Sequence, residues 1–313
     1  EYYRQRNGAG LVITEGVAPA PGALGYARIP GLFTDAQQAA WADIFRAVQA
    51  GGARVFVQLM HTGRIGHPAN LPQGGELVSA SAIAAAGEIW TDSAGMQPYD
   101  MPRELTTQEV RAVVQEHAQA ALNARQAGFD GVELHGTSGY LPMQFLSSGT
   151  NLRTDDYGGP IENRIRLLRE VTQAVVDAIG SDRTSVRLSP NGETQGADDS
   201  NPVALFTAAA AAHGAQHVVQ QLAGQAHKGF ALQVLVLARR FAHDHPVGLH
   251  VADPEHRVLA AAAQAAGLAA CHGRLQRRPV HGFDASRARG QPGVGRAAGG
   301  GGQHHPRLAP QTR

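Results

Sequence analysis

One cysteine, Cys271, stands among 313 residues, so no disulfide can form within the chain. That suits a reducing compartment, and a cytoplasmic setting is expected. Lysine is equally scarce: Lys228 is one of 27 basic residues, which leaves 26 arginines. The formal net charge is only +1, so bulk electrostatics draw the chain to neither nucleic acid nor membrane. The longest apolar runs, such as VALFTAAAAA, are too short to span a bilayer, and the opening residues have no signal-peptide pattern. No G-x-G-x-x-G follows any candidate strand, which argues against a Rossmann dinucleotide domain. No metal is expected. Hydrophobic residues make up 43%, enough for a sizeable core, and the length suits one α/β barrel.

Several stretches read as strands or helices. Residues 10–17 (GLVITEGV), 54–61 (RVFVQLMH), 129–135 (FDGVELH) and 184–190 (TSVRLSP) are short apolar runs that end in polar residues. DAQQAAWADIFRAVQAGG has helical spacing and a glycine stop. TTQEVRAVVQEHAQAALNARQAG has a threonine cap, early acids and a glycine end. GPIENRIRLLREVTQAVVDAIG reads as one helix with proline in its first turn. Strands alternating with helices imply a parallel sheet with crossover helices. Polar residues at four strand ends (Glu15; Gln58 and His61; His135; Arg187 and Ser189) suit a (β/α)8 barrel, in which those ends converge. Roughly forty residues after the second strand, rich in Gly, Pro and Ser, suggest a functional excursion.

Four ordered stretches carry a family resemblance: YYRQRNGAGLVITEG, QLMHTGR, ELHGTSGYLPMQFLSSGTNLRTDDYGGPIENR and VRLSP. Over roughly the first two hundred residues the chain resembles the Old Yellow Enzyme family of FMN-dependent ene-reductases. The resemblance implies a TIM (β/α)8 barrel. It implies hydride passing from NADPH or NADH to FMN and on to an activated alkene such as an enone. The family's first barrel strand is expected to be missing before Glu1, since the chain opens mid-pattern without an initiator methionine.

The resemblance also assigns roles. Tyr140 becomes the proton donor; a phenol is a weak acid, so it must be placed beside the carbon it protonates. The alternative is a tyrosine packed under a loop. His135 becomes the group that hydrogen-bonds a substrate carbonyl, against the alternative of a strand-end histidine bonded to backbone. The family pairs it with a histidine or asparagine three residues on; here that place holds Ser138, with shorter reach, or simply a turn residue. Gln58 offers a donor and an acceptor to a flavin's pyrimidine edge, or is a satisfied interior amide. Arg187 lies between Val186 and Leu188 and points to the opposite face of its strand, toward a flavin that carries negative charge when reduced, or into a salt bridge with Glu15 or Glu133. Gly16 permits close backbone approach to the ring system, or is an ordinary turn. Met60 stands where relatives often carry tryptophan and widens the substrate pocket, or fills a core gap. A carboxylate-dependent hydrolase using Glu15 and Glu133 is the reading from another class, and an inactive remnant that binds FMN weakly is the other.

The chain changes character near position 213. Residues 1–213 hold 22 acids and 15 bases, a balance of −7; residues 214–313 hold 4 acids and 12 bases, +8. Ten of the 15 histidines lie beyond that point. The expected organisation is a family-like barrel part over 1–213, an atypical continuation over 214–285 and a disordered tail over 286–313. QHVVQQL, VGLHV and LAACH are the strand candidates of the continuation, and Gly273-Arg274 is the one trace of a phosphate-binding element. The Arg, Ala, Gly, His and Pro bias is what an out-of-frame reading of a GC-rich gene produces. Sequencing the coding DNA checks this: another frame should restore a family-like C-terminus, and its absence in all frames refutes the frameshift.

Overall fold

A computed structural model describes residues 1–189 and 195–212, together with the backbone of a strand at 234–237. These belong to one contact unit, Glu1–Leu249; the other, His250–Arg313, lies wholly outside the described residues. The strand candidates QHVVQQL, VGLHV and LAACH, Gly273-Arg274 and the tail over 286–313 also lie outside them.

The chain runs β1 (Leu11–Val17), α1 (Asp35–Gln49), β2 (Arg54–Leu59), β3 (Val78–Ser79), β4 (Glu88–Thr91), β5 (Gly95–Pro98), β6 (Arg103–Glu104), α2 (Thr107–Ala127) and β7 (Gly131–Gly136). It continues through α3 (Leu141–Leu146), α4 (Ile161–Arg164), α5 (Arg166–Ile179), β8 (Thr184–Leu188), α6 (Pro202–Ala212) and β9 (Val234–Leu237). The main sheet has the order β1-β2-β7-β8-β9. Its first four strands are parallel, with helices in the crossovers, which is an open arc of an α/β barrel rather than a closed one. Strand β9 pairs antiparallel to β8, whereas a regular barrel would continue in parallel.

Local chemistry explains the helix ends. Thr34 Oγ1 accepts the Gln37 amide at 3.2 Å, and Gln37 Oε1 accepts the Thr34 amide at 3.1 Å, a reciprocal cap for α1. Thr106 and Glu109 repeat the device on α2, which stops at Gly128 with φ 100°. The helix expected from Pro160 onward is in fact two. Pro160 is the N-cap, α4 lasts one turn, and Ile165 at ψ −10° breaks the ladder before α5 begins. The break lets Arg164 turn inward, where it donates to the Leu146 carbonyl and pairs with Asp199.

Alternation along the strands sorts two environments. Val55, Val57 and Leu59 join the core formed with Trp41, Phe45 and Val48 of α1 and Val110, Val113 and Val114 of α2, as do Val132 and Leu134 of β7 and Val186 and Leu188 of β8. Gln58, Glu133, His135 and Arg187 alternate with these and lie on the other sheet face, the inner face of a barrel. Such burial contributes about 1.5–3 kcal/mol per large apolar side chain.

The long excursion after β2 holds two small sheets: β3 with β6 in parallel, and the β4–β5 hairpin. Sequence periodicity passed over them because each strand has only two to four residues. No helix among the described residues is long and apolar enough to cross a membrane.

The Arg164–Asp199 pair leaves 7% and 2% of the two side chains exposed. Arg164→Ala should lower unfolding stability by about 3–5 kcal/mol, because the Asp199 carboxylate stays enclosed without its counter-charge. Urea denaturation followed by circular dichroism measures this; a loss below about 1 kcal/mol would show that the pair adds little.

Candidate active site

The register fixes which polar residues meet. Gly16 pairs with Gln58, Gln58 with Glu133, and His135 with Arg187. A bulge between Ile13 and Gly16 interrupts the β1 ladder, and Thr14 Oγ1 accepts the Gln58 amide at 3.0 Å there. Gln58 Nε2 donates to Glu133 Oε1 at 2.6 Å, and both side chains are buried. Burial pushes the Glu133 carboxyl up, while Gln58 and the Arg187 charge act in the opposite direction. Arg187 makes no salt bridge among the described residues, and its buried Nε has no hydrogen-bond partner. Neither Glu15 nor Glu133 therefore forms a salt bridge with it, although its charge reaches the Glu133 carboxyl.

Glu15 faces elsewhere. Its side chain is exposed and accepts from the Tyr3 hydroxyl at 3.0 Å. With Glu133 enclosed against Gln58, the two carboxylates do not share an open cleft, and the hydrolase reading loses its acid–base pair.

The turn after β7 carries the reactive candidates. His135 is 7% exposed, and its ring meets the Tyr140 ring edge-to-face at 4.9 Å. Burial, and secondarily the Arg187 charge, lower its pKa to about 3. Its Nδ1 lies 3.3 Å from the Thr137 amide and 3.2 Å from Thr137 Oγ1. Ser138 is exposed at φ 60°, with its hydroxyl 3.0 Å from that of Thr137. Gly139 follows at φ 73°, and these two left-handed residues swing the chain so that half-buried Tyr140 caps α3.

Three residues absent from the sequence-based set belong here. Tyr26 meets Tyr140 hydroxyl to hydroxyl at 3.2 Å, with rings 6.2 Å apart at 84°. Burial, then the bond to Tyr140, raise its pKa. Thr137 touches His135 as described. Gln144, wholly enclosed, donates to the carbonyls of Gly139 (2.8 Å) and Thr62 (3.0 Å) and accepts from the Arg64 amide (3.2 Å) and the Ser79 hydroxyl (3.0 Å). The MQF run around Gln144 gave no signal of this, because a buried amide looks like any other helical position until its neighbours are known.

Met60 is buried, and its sulfur lies 2.4 Å from where a Cβ on Gly16 would stand. A side chain at 16 would therefore have to displace the flexible thioether beside it. An unpaired guanidinium nitrogen, a side-chain-free strand edge at Gly16 and an amide at Gln58 together suit a planar group bearing negative charge, as FMN does when reduced.

The model of the NADH:flavin oxidoreductase / NADH oxidase family matches residues 1–227. The chain belongs to that family. Among its relatives, 12-oxophytodienoate reductase 7 of Oryza sativa subsp. japonica is 43% identical over 208 residues, 66% of this chain and 53% of the relative. Chanoclavine-I aldehyde reductase of Penicillium roqueforti is 42% identical over 210 residues, 66% of this chain and 54% of the relative. The old yellow enzyme homologue of Zymomonas mobilis superposes with TM-score 0.65 at 44% identity, covering 67% of this chain and 59% of that one. Morphinone reductase in complex with tetrahydroNAD gives 0.65 at 43% identity, with coverage of 68% and 60%. The chain thus spans a little over half the length of these family members.

Three buried histidines predict an acid response for this flavin-oxidoreductase scaffold. Burial lowers the pKa of His61 to about 3 and of His117 to about 4, and His135 stands at about 3. Below about 6.5 the unfolded chain takes up protons that the fold refuses until pH 3–4. Stability therefore falls as pH drops from about 6.5, by up to about 1.4 kcal/mol per histidine per pH unit. Urea midpoints between pH 7 and 4.5 should trace this, and His117→Gln should flatten the slope by about one proton; an unchanged slope would refute the assignment.

Proposed function

We propose that the chain is an FMN-dependent ene-reductase: it takes hydride from NADPH or NADH and reduces the activated C=C of α,β-unsaturated carbonyl compounds. The observation that carries this is the gathering of His135, Tyr140, Gln58 and the unpaired Arg187 Nε on one sheet face and at its C-terminal edge. FMN, when bound, supplies the two-electron chemistry that accepts hydride and passes it to the substrate.

The chain's own residues do the rest. Arg187 and Gln58 would hold the flavin's polar edge, the former by charge and the latter by its amide. His135 hydrogen-bonds the substrate oxygen and stabilises the charge that grows there when the neighbouring alkene gains hydride. Tyr140 gives its phenolic proton to the other alkene carbon. Tyr26, one hydrogen bond away, then donates to the Tyr140 oxygen and steadies the phenolate left behind. Met60 and Ser138 border the substrate space. The relatives named as reductases of 12-oxophytodienoate and chanoclavine-I aldehyde support a small carbonyl-bearing substrate. The cytoplasmic setting expected from the lone cysteine belongs to this same reading.

One observation favours a second reading, an inactive remnant: the antiparallel β9 stands where a flavin barrel would continue in parallel. The purified protein separates the two. An ene-reductase emerges yellow and consumes NADPH with 2-cyclohexenone; a colourless protein that stays colourless on adding FMN is the remnant. In the yellow protein, Tyr140→Phe should slow alkene reduction at least about tenfold while flavin reduction by NADPH proceeds unchanged. Equal loss in both half-reactions would remove Tyr140 from the proton-donor role. Arg187→Leu should weaken FMN binding by about ten- to a hundredfold, the worth of a charge-assisted hydrogen bond.

A further inference from the structure

We propose that Thr137 is a positioning residue that fixes His135 as a hydrogen-bond donor at Nε2, and that Ser138 reaches the imidazole only through Thr137.

The directions of three hydrogen bonds follow from one backbone amide. The Thr137 N–H lies 3.3 Å from His135 Nδ1 with donor geometry. A backbone amide can only donate, so Nδ1 presents its lone pair and carries no proton. The ring is then the neutral tautomer with its proton on Nε2. Thr137 Oγ1, 3.2 Å from the same nitrogen, also faces that lone pair and donates its own proton. Its oxygen is left as an acceptor, 3.0 Å from Ser138 Oγ, so Ser138 donates in turn. The order is Ser138 to Thr137 to His135. An imidazolium would set N–H against N–H at Nδ1, so the arrangement also opposes protonation of the ring. The Tyr140 ring, packed edge-on at 4.9 Å, opposes the ring flip that would exchange the two nitrogens.

Burial places the residues in these roles. Thr137 is 3% exposed, whereas Ser138 is exposed on a left-handed backbone. A direct contact from Ser138 to a substrate held against His135 is not needed to explain where its hydroxyl points. The tautomer is a property of the chain alone. Its consequence for catalysis, a substrate oxygen met by one side-chain N–H, rests on the ene-reductase reading.

Two measurements on the whole 313-residue chain keep these apart. In nitrogen-15 correlation spectra of the imidazoles, with His135 assigned by its loss in His135→Gln, Nδ1 should be pyridine-type and Nε2 pyrrole-type. Thr137→Val removes the hydroxyl but keeps the amide: the tautomer should persist while the Nδ1 resonance moves toward a more weakly hydrogen-bonded value. Thr137→Ser should restore it, and Ser138→Ala should shift it in the same direction by less. With 2-cyclohexenone, Thr137→Val should raise KM about three- to tenfold, as expected for one hydrogen bond, with a smaller change in kcat. A pyrrole-type Nδ1 in the unaltered protein overturns the proposal without any variant needing to fold. So does an Nδ1 resonance indifferent to Thr137→Val, or a larger shift from Ser138→Ala. If the spectra behave as expected but no enone is turned over, the tautomer assignment stands and the ene-reductase reading fails.

Discussion

Gln144 uses every hydrogen-bonding position of its amide and has no contact with solvent. Its two donors hold the carbonyls of Thr62, beyond β2, and Gly139, beyond β7; its oxygen holds Arg64 and Ser79. The Leu141 amide adds a bond of 2.9 Å to the His61 carbonyl. Two strand tips and the excursion are thereby latched together around one enclosed side chain. Tyr140 and Met60 hang from this latch, because Tyr140 follows Gly139 directly and Met60 precedes the His61–Thr62 segment. Gly63, at φ 61°, has no room for a side chain beside that amide, since a Cβ there would stand 2.2 Å from Gln144 Oε1. The latch thus dictates the glycine as well as the geometry.

Around it the strand register arranges charge. β7 and β8 place Arg187 opposite His135, and β2 and β7 place Gln58 opposite Glu133. One cation facing a deeply buried imidazole keeps that imidazole neutral, by desolvation first and repulsion second. Among the described residues the same cation has a buried Nε without a partner, a condition that costs stability unless another group relieves it. Arg187 therefore favours an anionic or electron-rich group beside its Nε, and the buried His135 is held neutral.

Much of the fold was legible because its signals are local. The Thr34 and Thr106 caps, the Gly128 stop and the apolar strands each announce themselves within a few residues. The inward face of Arg187 was legible from alternation against Val186 and Leu188, while Gln58 and His135 stood out as polar residues at strand ends and by family resemblance. What escaped depends on distant partners. Tyr26 lies 114 positions from Tyr140, and Gln144 lies 65 from Ser79, so neither had a local pattern to betray it. The break at Ile165 escaped because nothing in an apolar helical repeat marks a turn that a buried arginine pulls inward. Thr137 escaped for a different reason: the family pattern marks position 138, where the backbone is left-handed and the side chain exposed.

The most family-specific stretch turns out to be scaffold. Asn151 donates to the carbonyls of Phe145 and Tyr157; Arg153 donates to those of Ala80 and Leu105 and pairs with Asp155; Tyr157 donates to Glu170 at 2.8 Å. Arg164 closes on Asp199. These bonds tie α3, the excursion and the segment after β8 to one another, and they include no bond to His135, Tyr140 or Arg187. A fingerprint of this kind certifies that the frame is present, since many backbone carbonyls must each meet one donor at fixed spacing. It says little about chemistry, because the proposed site residues lie at positions that these bonds do not touch. Sharing every residue from Asn151 to Arg164 would not by itself reproduce how His135 is held here, because the Thr137 amide and the Thr137 and Ser138 hydroxyls lie on a turn that the fingerprint does not touch.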